Sequence, residues 1–486
     1  MNQRFLKFLG AITLIRLLYA LILPLAPQEA YYWNYSRHPA LSYFDHPPMA
    51  AYFIKLTTLF GASTFSIHLA AILLSVILTI AIYRLASLIF DQWVGFWSAV
   101  VINLVFIYSL GALIITPDNP MLLFWVLSMI ACIEIERGEG PLWWLLLGIF
   151  LGAGFASKYP IVFAGLGAFL FFLSSRDRRK WFFTPWAYLA VVAAFIVALP
   201  VIYWNYTHNW ASFAFQTSRR AGEMSRFRAD YFFGYIGTVL AIYGLIPFPL
   251  LFVGIWNSTK RAIKTRAANY TLLAAFSLPL VLFLLPASAR SWVKMNWTAP
   301  AFIGWFIAAI TYYKEHAPRR RWVRVWGKVS ILFLLLTAVA VHILVMLPGL
   351  YLGKGDYFVG WKELSAKVDE VRAETLTPYF ISGSEYKISS ELAFYLKGHP
   401  ETMGNNILGQ NALQYDFWAD PDTLVGYNGI YVTDCSNCPD LVDNLKQYFN
   451  QVSDPIVFPI KKGGKLVRNY YIYKCYNYQG IHLAVR

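Results

Sequence analysis

Charge is what this sequence has least of. Only 14% of its 486 residues are Asp, Glu, Lys or Arg, while 58% are hydrophobic, and an ordinary soluble domain carries about 25% charged residues. A soluble enzyme with a conventional surface is excluded. Cysteine is scarce as well, four in all, with Cys435, Cys438 and Cys475 near the C-terminus and Cys132 in an apolar run. Three thiols fall short of a four-ligand zinc site, so the Cys435-x-x-Cys438 pair points to a disulfide in an oxidising compartment, its partners left open. No Walker-type glycine loop, HExxH or nucleophile elbow occurs, which removes support for nucleotide hydrolysis, zinc proteolysis and serine-esterase chemistry. No cleavable leader is evident either: the first apolar run follows Arg4 and Lys7 but lacks a clear small-residue cleavage site.

What is present is apolar length. Runs long enough to cross a hydrocarbon layer recur along residues 1–350 and predict about eleven transmembrane helices. One alternate set of connecting loops is basic: Arg176, Arg178, Arg179 and Lys180, then Lys260, Arg261, Lys264 and Arg266, then Lys314, Arg319, Arg320, Arg321, Arg324 and Lys328. These loops are expected in the cytoplasm. The net charge of +15 is then explained by topology and anionic lipid, and nucleic acid is not expected as a partner. Residues 351–486 have an ordinary soluble composition, with strand-like GIYVTD and LVRNYYIYKCYNY and helix-like SELAFYL and LVDNLKQYF. The expected architecture is an all-α polytopic membrane domain (1–350) followed by a small α/β domain (351–486) on the extracytoplasmic side.

Acids and bases gather in the loops of that outer side. Glu29, Asp45 and Asp118 supply carboxylates; Arg37, Lys158, Arg219, Arg220, Arg226, Arg228, Arg290 and Lys294 supply cations. Charges at a membrane boundary are costly unless paired or solvated, so such a set marks a functional site. Carboxylates can deprotonate or orient a hydroxyl and cations can neutralise a departing phosphate, a mixture that fits glycosyl transfer from a lipid phosphate. Two acids alone would also suit a glycosidase, but the surplus of cations would then have no use. A transporter for a lipid-linked sugar is the other class consistent with many spans; it would favour broken helices in matching halves over acids clustered on one side. The aromatic run Tyr31, Tyr32, Trp33 and Tyr35 reads most simply as an interfacial belt.

QEAYYWNYSRHPALSYFDHPPMAAYF, TPDNPMLLFW, GFASKYP and VKMNWTAPAF, in this order and spacing, resemble the bacterial branch of the dolichyl-phosphate-mannose protein mannosyltransferase superfamily. That branch includes the aminoarabinose transferase of lipid A and has the membrane glycosyltransferase fold called GT-C. The resemblance covers about residues 1–350 and implies a polyprenyl-phosphate-linked sugar donor, a lipid or protein acceptor, and inversion at the anomeric carbon. Lipid A or lipopolysaccharide is the first expectation for the acceptor, protein hydroxyls the second. It also implies the inner membrane of a bacterium, with the active site and the C-terminal domain facing the periplasm.

The resemblance carries site residues with it. The family opens its first outer loop with an Asp-Glu pair, which here is Gln28-Glu29. An amide cannot accept a proton at neutral pH, so either Glu29 or Asp45 takes over the acid's role, or the acceptor is already an anion. Asp45 and His46 of YFDHPP match the donor-site motif, fixed by Pro47 and Pro48. Asp118 of TPDNP matches a second loop acid, although Asp-Asn-Pro also signals helix entry, and Lys158 matches a lysine placed on the donor phosphate. Glu29, Asp45 and Asp118 are therefore the expected catalytic residues, with Gln28, Arg37, His46, Lys158, Arg219, Arg220 and Lys294 expected to bind the donor. No cofactor is expected to be required; His46 or His208 with Asp45 could hold a divalent cation.

Overall fold

The computed structural model describes residues 2–221, 227–347, 358–435 and 440–481, without the side chains of 218–221, 345 and 346. The chain divides into two compact units. One comprises Met1–Leu21 and His46–Ile343; the other comprises Ile22–Asp45 and Leu344–Arg486. The sequence suggests a single cut near residue 350, whereas the loop from Ile22 to Asp45 packs with the C-terminal part.

The first unit is helical. Among the described residues, five helices are long and apolar enough to cross a membrane: Thr64–Ile89, Asp118–Arg137, Pro185–Thr207, Ala268–Ser288 and Arg321–Leu344. Two bent pairs, Tyr159–Leu173 with Arg176–Phe183 and Ala229–Tyr243 with Phe248–Thr265, raise the number to seven if each counts as one span. Other stretches expected to span are short, broken or more charged. Gln3–Ala20 carries Arg4, Lys7 and Arg16, Gln92–Leu104 ends at Val105 where the backbone is extended, and Leu142–Phe155 has 14 residues.

Local signals explain the helix starts. Ser63 accepts from the Ser66 amide and Asp91 from those of Trp93 and Val94, satisfying groups that have no partner inside the helix. Helix contact relies on small residues, because lipid removes the hydrophobic drive between helices. Gly148 and Gly152, one turn apart, let Leu142–Phe155 lie against Pro185–Thr207 so closely that a Cβ on Gly148 would sit 2.2 Å from the Ala190 carbonyl oxygen.

The second unit contains a five-stranded sheet: β1 (Tyr379–Gly383), β2 (Asn428–Thr433), β3 (Phe449–Val452), β4 (Ile456–Lys462) and β5 (Lys465–Tyr478). The order is β1-β2-β5-β3 with β4 also on β5, and only β1 and β2 run parallel. Gly463 and Gly464, both at positive φ, make the two-residue turn between β4 and β5. Alternation sends Ile381, Ile430, Val432, Tyr470 and Ile472 to one core with Trp361, Leu364 and Leu392, and Phe380, Tyr431, Tyr473 and Cys475 to another with Leu445 and Phe449. The strands and helices expected in this part are thus present and buried on both sheet faces. Cys435 is disulfide-bonded, and Cys475 is a free buried thiol inside β5. Cys438 lies outside the described residues. In the same unit the helix Pro27–Arg37 packs on the helix Tyr386–Tyr395.

Candidate active site

In the first unit, four motif segments converge by hydrogen bonding. The chain after His46-Pro47-Pro48 enters the helix Met49–Thr57, whose first amide, Met49 N–H, donates to the Ala156 carbonyl at 3.0 Å and ties this segment to the ASKYP turn. Lys158 stands in an extended conformation at the end of that turn. Its Nζ donates to both oxygens of Asp118, each at 2.8 Å. Asn296 Nδ2 donates to Asp118 Oδ2 at 2.6 Å. Asp118 occupies the first turn of the helix Asp118–Arg137, where the positive end of the helix dipole favours a carboxylate. The helix-entry signal in Asp-Asn-Pro is met by its neighbour: Asn119 Oδ1 accepts from Thr116 N at 2.8 Å and from Thr116 Oγ1 at 2.9 Å, which leaves Asp118 for Lys158 and Asn296.

The Lys294–Thr298 segment is held from behind. Tyr243 and Thr298 share a hydroxyl hydrogen bond of 2.8 Å, and Tyr108 Oη donates to the Ala299 carbonyl at 2.6 Å. Around this ion pair lie two more groups named from the sequence. His46 is held well below its ordinary pKa by burial first, then by the positive charges of Lys158 and Lys294. At neutral pH it is an uncharged imidazole that can accept or donate a hydrogen bond. Among the described residues no three His, Cys, Asp or Glu side chains are grouped. His208 bonds the Trp204 carbonyl at 2.8 Å.

Gln28, Glu29, Arg37 and Asp45 lie in the second unit. Glu29 is fully buried, and its Oε2 accepts from the Ala26 amide at 3.1 Å, closing the N-terminus of the helix Pro27–Arg37. Gln28, beside it, is exposed. Asp45 is buried and accepts through Oδ1 from the hydroxyl of Tyr31 at 3.0 Å and from that of Tyr35. Tyr31 Oη in turn accepts from the Gln414 amide at 3.1 Å. Burial, followed by the charge of Asp45, pushes both phenols well above their ordinary pKa, so they remain donors. Tyr31, Tyr32, Trp33 and Tyr35 are all buried, and Tyr31 meets Tyr386, Tyr415 and Trp418. They form a packed core and not an interfacial belt.

Arg37 is engaged within the same unit. It pairs with Glu401, donates to the carbonyl oxygens of His399 at 2.9 Å and Pro400 at 3.4 Å, and lies over the Trp33 ring. The side chains of Arg219 and Arg220 lie outside the described residues, as does Arg226. The structure thus joins Asp118 and Lys158 directly, sets His46 and Lys294 beside them, and adds Asn296. A search for charges passes over Asn296, which is neutral, although the VKMNW segment contains it.

Comparison with known proteins bears on the fold. Residues 45–204 match the sequence model of the dolichyl-phosphate-mannose-protein mannosyltransferase family. ArnT from Cupriavidus metallidurans in the apo state superposes with a TM-score of 0.68 over 96% of this chain and 97% of that one, at 15% identity. The chain has the GT-C fold, with helices long and apolar enough to cross a membrane. The same protein bound to undecaprenyl phosphate gives a TM-score of 0.67 at 14% identity, over 97% of this chain and 98% of that one. The oligosaccharyltransferase of Archaeoglobus fulgidus, tethered with an acceptor peptide, is more distant: TM-score 0.54 at 11% identity, over 95% of this chain and 74% of that one. Among curated sequences, the lipid A galacturonosyltransferase RgtD of Rhizobium johnstonii is 23% identical over 326 residues, which is 64% of this chain. The match spans 65% of that relative's length.

Proposed function

We propose that this protein transfers a sugar from a polyprenyl-phosphate donor to an acceptor on the extracytoplasmic side, with lipid A or lipopolysaccharide as the acceptor. The observation that carries the reading is the partly buried Asp118–Lys158–Asn296 cluster with neutral His46 and Lys294 beside it, in a fold shared with a protein captured with undecaprenyl phosphate. In the reaction the bond from the anomeric carbon to the phosphate oxygen breaks while an acceptor oxygen bonds that carbon from the opposite face. Configuration inverts, and polyprenyl phosphate leaves as an anion. Lys158 and Lys294 neutralise the charge that grows on the departing phosphate. Asp118 and Asn296 fix the Lys158 ammonium, so that it meets the phosphate without reorganising.

The choice of acceptor follows from the carboxylates. Asp118 is matched by a lysine, Asp45 by two phenols, and Glu29 by a helix amide. Each of these carboxylates is already engaged with a donor of the protein itself. An acceptor that arrives ionised, such as a phosphate of lipid A, needs no base and suits this arrangement. The assay uses purified protein in detergent with radiolabelled polyprenyl-phosphate sugar and lipid A. Appearance of labelled lipid A together with free polyprenyl phosphate supports the proposal. Intact donor crossing a vesicle without turnover would make the protein a transporter, and labelled protein in place of labelled lipid would make the acceptor a polypeptide.

A further inference from the structure

The second unit holds a cavity of about 870 Å³ that takes no part in the chemistry above. It opens where the parallel strands β1 and β2 end: Ser384 and Glu385 follow β1, and Asp434 and Cys435 follow β2. Ligands of α/β sheets characteristically bind outside the carboxyl ends of parallel strands, where connections diverge and leave a crevice. The volume lies in the range of small-molecule sites.

The lining is polar in a particular way. Glu385 and Asp440 stand at the N-cap positions of the helices Tyr386–Tyr395 and Leu441–Tyr448, yet neither side chain caps its helix. Both are exposed and have no hydrogen-bond or ion-pair partner among the described residues. The amides of Asn444 and Gln447 line the same cavity and are likewise without a partner among the described residues. The other two acids of the lining are matched: Asp434 by Arg468 at 3.4 Å and Asp443 by Lys446 at 3.9 Å. Two unmatched carboxylates and two unmatched carboxamides therefore face one crevice.

That set fits one ligand chemistry better than others. Carboxamides donate and accept, which suits the mixed hydroxyls of a sugar, while the unmatched carboxylates favour a positive charge. A phosphate or a uronic acid would be repelled. A metal ion would need ligands drawn together, and no three acids are so grouped among the described residues. We infer that this cavity binds an oligosaccharide carrying free amino groups, with Glu385 and Asp440 on the ammonium and Asn444 and Gln447 on ring hydroxyls. The inference stands apart from the donor chemistry assigned to the first unit.

Isothermal titration of the full-length protein in detergent tests it, with three trisaccharides as probes: β-1,4-linked glucosamine, its fully N-acetylated form, and galacturonate, at a pH where the amines are charged. The glucosamine trimer is expected to bind saturably and at least about tenfold more tightly than the acetylated trimer, since a charged hydrogen bond is worth more than a neutral one. Glu385→Gln with Asp440→Asn should erase that preference, and Asn444→Ala with Gln447→Ala should weaken both sugars. Circular dichroism and unchanged donor turnover show that the variants are folded. Absence of saturable binding, galacturonate binding as tightly as glucosamine, or glucosamine binding unaffected by both double variants would each overturn the site. A trilysine peptide that binds as tightly as the sugar would also overturn it, showing a cleft for cations in place of one for carbohydrate.

Discussion

Removing the ammonium of Lys158 separates a structural ion pair from a catalytic one. The side chains of Lys158 and Asp118 are only 10% and 13% exposed, so Lys158→Met leaves a nearly buried carboxylate with Asn296 as its remaining donor among the described residues. Breaking a buried pair from one side costs about 3–5 kcal/mol, because the surviving charge is uncompensated. Removing both charges, as in Lys158→Met with Asp118→Asn, should recover most of that cost, since neutral replacements of a buried pair are often tolerated. Thermal unfolding in detergent should therefore show a large loss for the single variant and a near-parental midpoint for the double. Turnover should behave differently. If Lys158 meets the departing phosphate, both variants lose roughly 100- to 1,000-fold in rate, the scale of removing one donor aimed at developing charge. A double variant that regains turnover together with stability would refute the phosphate role and leave the pair as architecture. A single variant with parental stability would refute the ion pair itself.

Three further outcomes are expected. Asp45→Asn keeps an oxygen acceptor for Tyr31 and Tyr35, so if Asp45 holds these phenols it should stay within about tenfold of parental turnover. In that case Asp45→Ala unfolds earlier by about 1–3 kcal/mol for each buried hydroxyl it orphans; a folded Asn variant slower by about 100-fold would instead make Asp45 an acid–base group. Glu391 is fully buried in the second unit, neither of its oxygens has a hydrogen-bond partner among the described residues, and burial first, then the charge of Glu29, raises its pKa well above the ordinary value. A raised carboxyl pKa means stability is full below the unfolded pKa and declines as pH rises from there through the folded value. Glu391→Gln should flatten that decline and be more stable than the parent near neutrality, and a Gln variant less stable at pH 7 would contradict it. Gly148→Leu should disrupt the contact with Pro185–Thr207, because even a Cβ meets the Ala190 carbonyl; the cost should be about 1–3 kcal/mol or more, and an unchanged midpoint would place the two helices further apart.

How much of this was legible in the sequence depends on whether the determining interaction is local. Asp118 and Lys158 carry charge beside a membrane boundary, so each stood out alone, and the ordered motifs named both. Asn296 bears no charge, and only the geometry of Asp118 reveals it. The aromatic helix Pro27–Arg37 was ambiguous for a different reason. A belt of aromatics at a lipid interface and a packed aromatic core have the same composition, and the difference lies in partners such as Gln414, Tyr415 and Trp418, far along the chain. The same distance hides the grouping of Ile22–Asp45 with the C-terminal unit, to which the Phe44 amide is tied by Gln414 Oε1 at 2.7 Å. Arg37 illustrates the limit of counting cations, because its partners are Glu401 and two carbonyls of a segment whose position no local pattern announces. Span counting fails where backbone geometry intervenes: the extended residue Val105 interrupts one apolar run, and two others bend.

The departure at Gln28 acquires a physical sense from these placements. A base must be turned to the proton of the attacking acceptor, and a carboxylate that already holds donors of the protein is turned elsewhere. Glu29 is turned to a helix amide, Asp45 to two phenols, and Asp118 to an ammonium and an amide, so the three acids act as acceptors that hold donors in place. An exposed glutamine where the family has an aspartate is consistent with an acceptor that needs no base. What such an acceptor does need is positive charge that survives its own arrival. Asp118 offsets the Lys158 charge while keeping its ammonium fixed, Lys294 adds a second, and the buried His46, held neutral near both, can contact an anion without adding a third positive charge. In the proposed reaction, that limited positive charge is what would meet the phosphate of the leaving group.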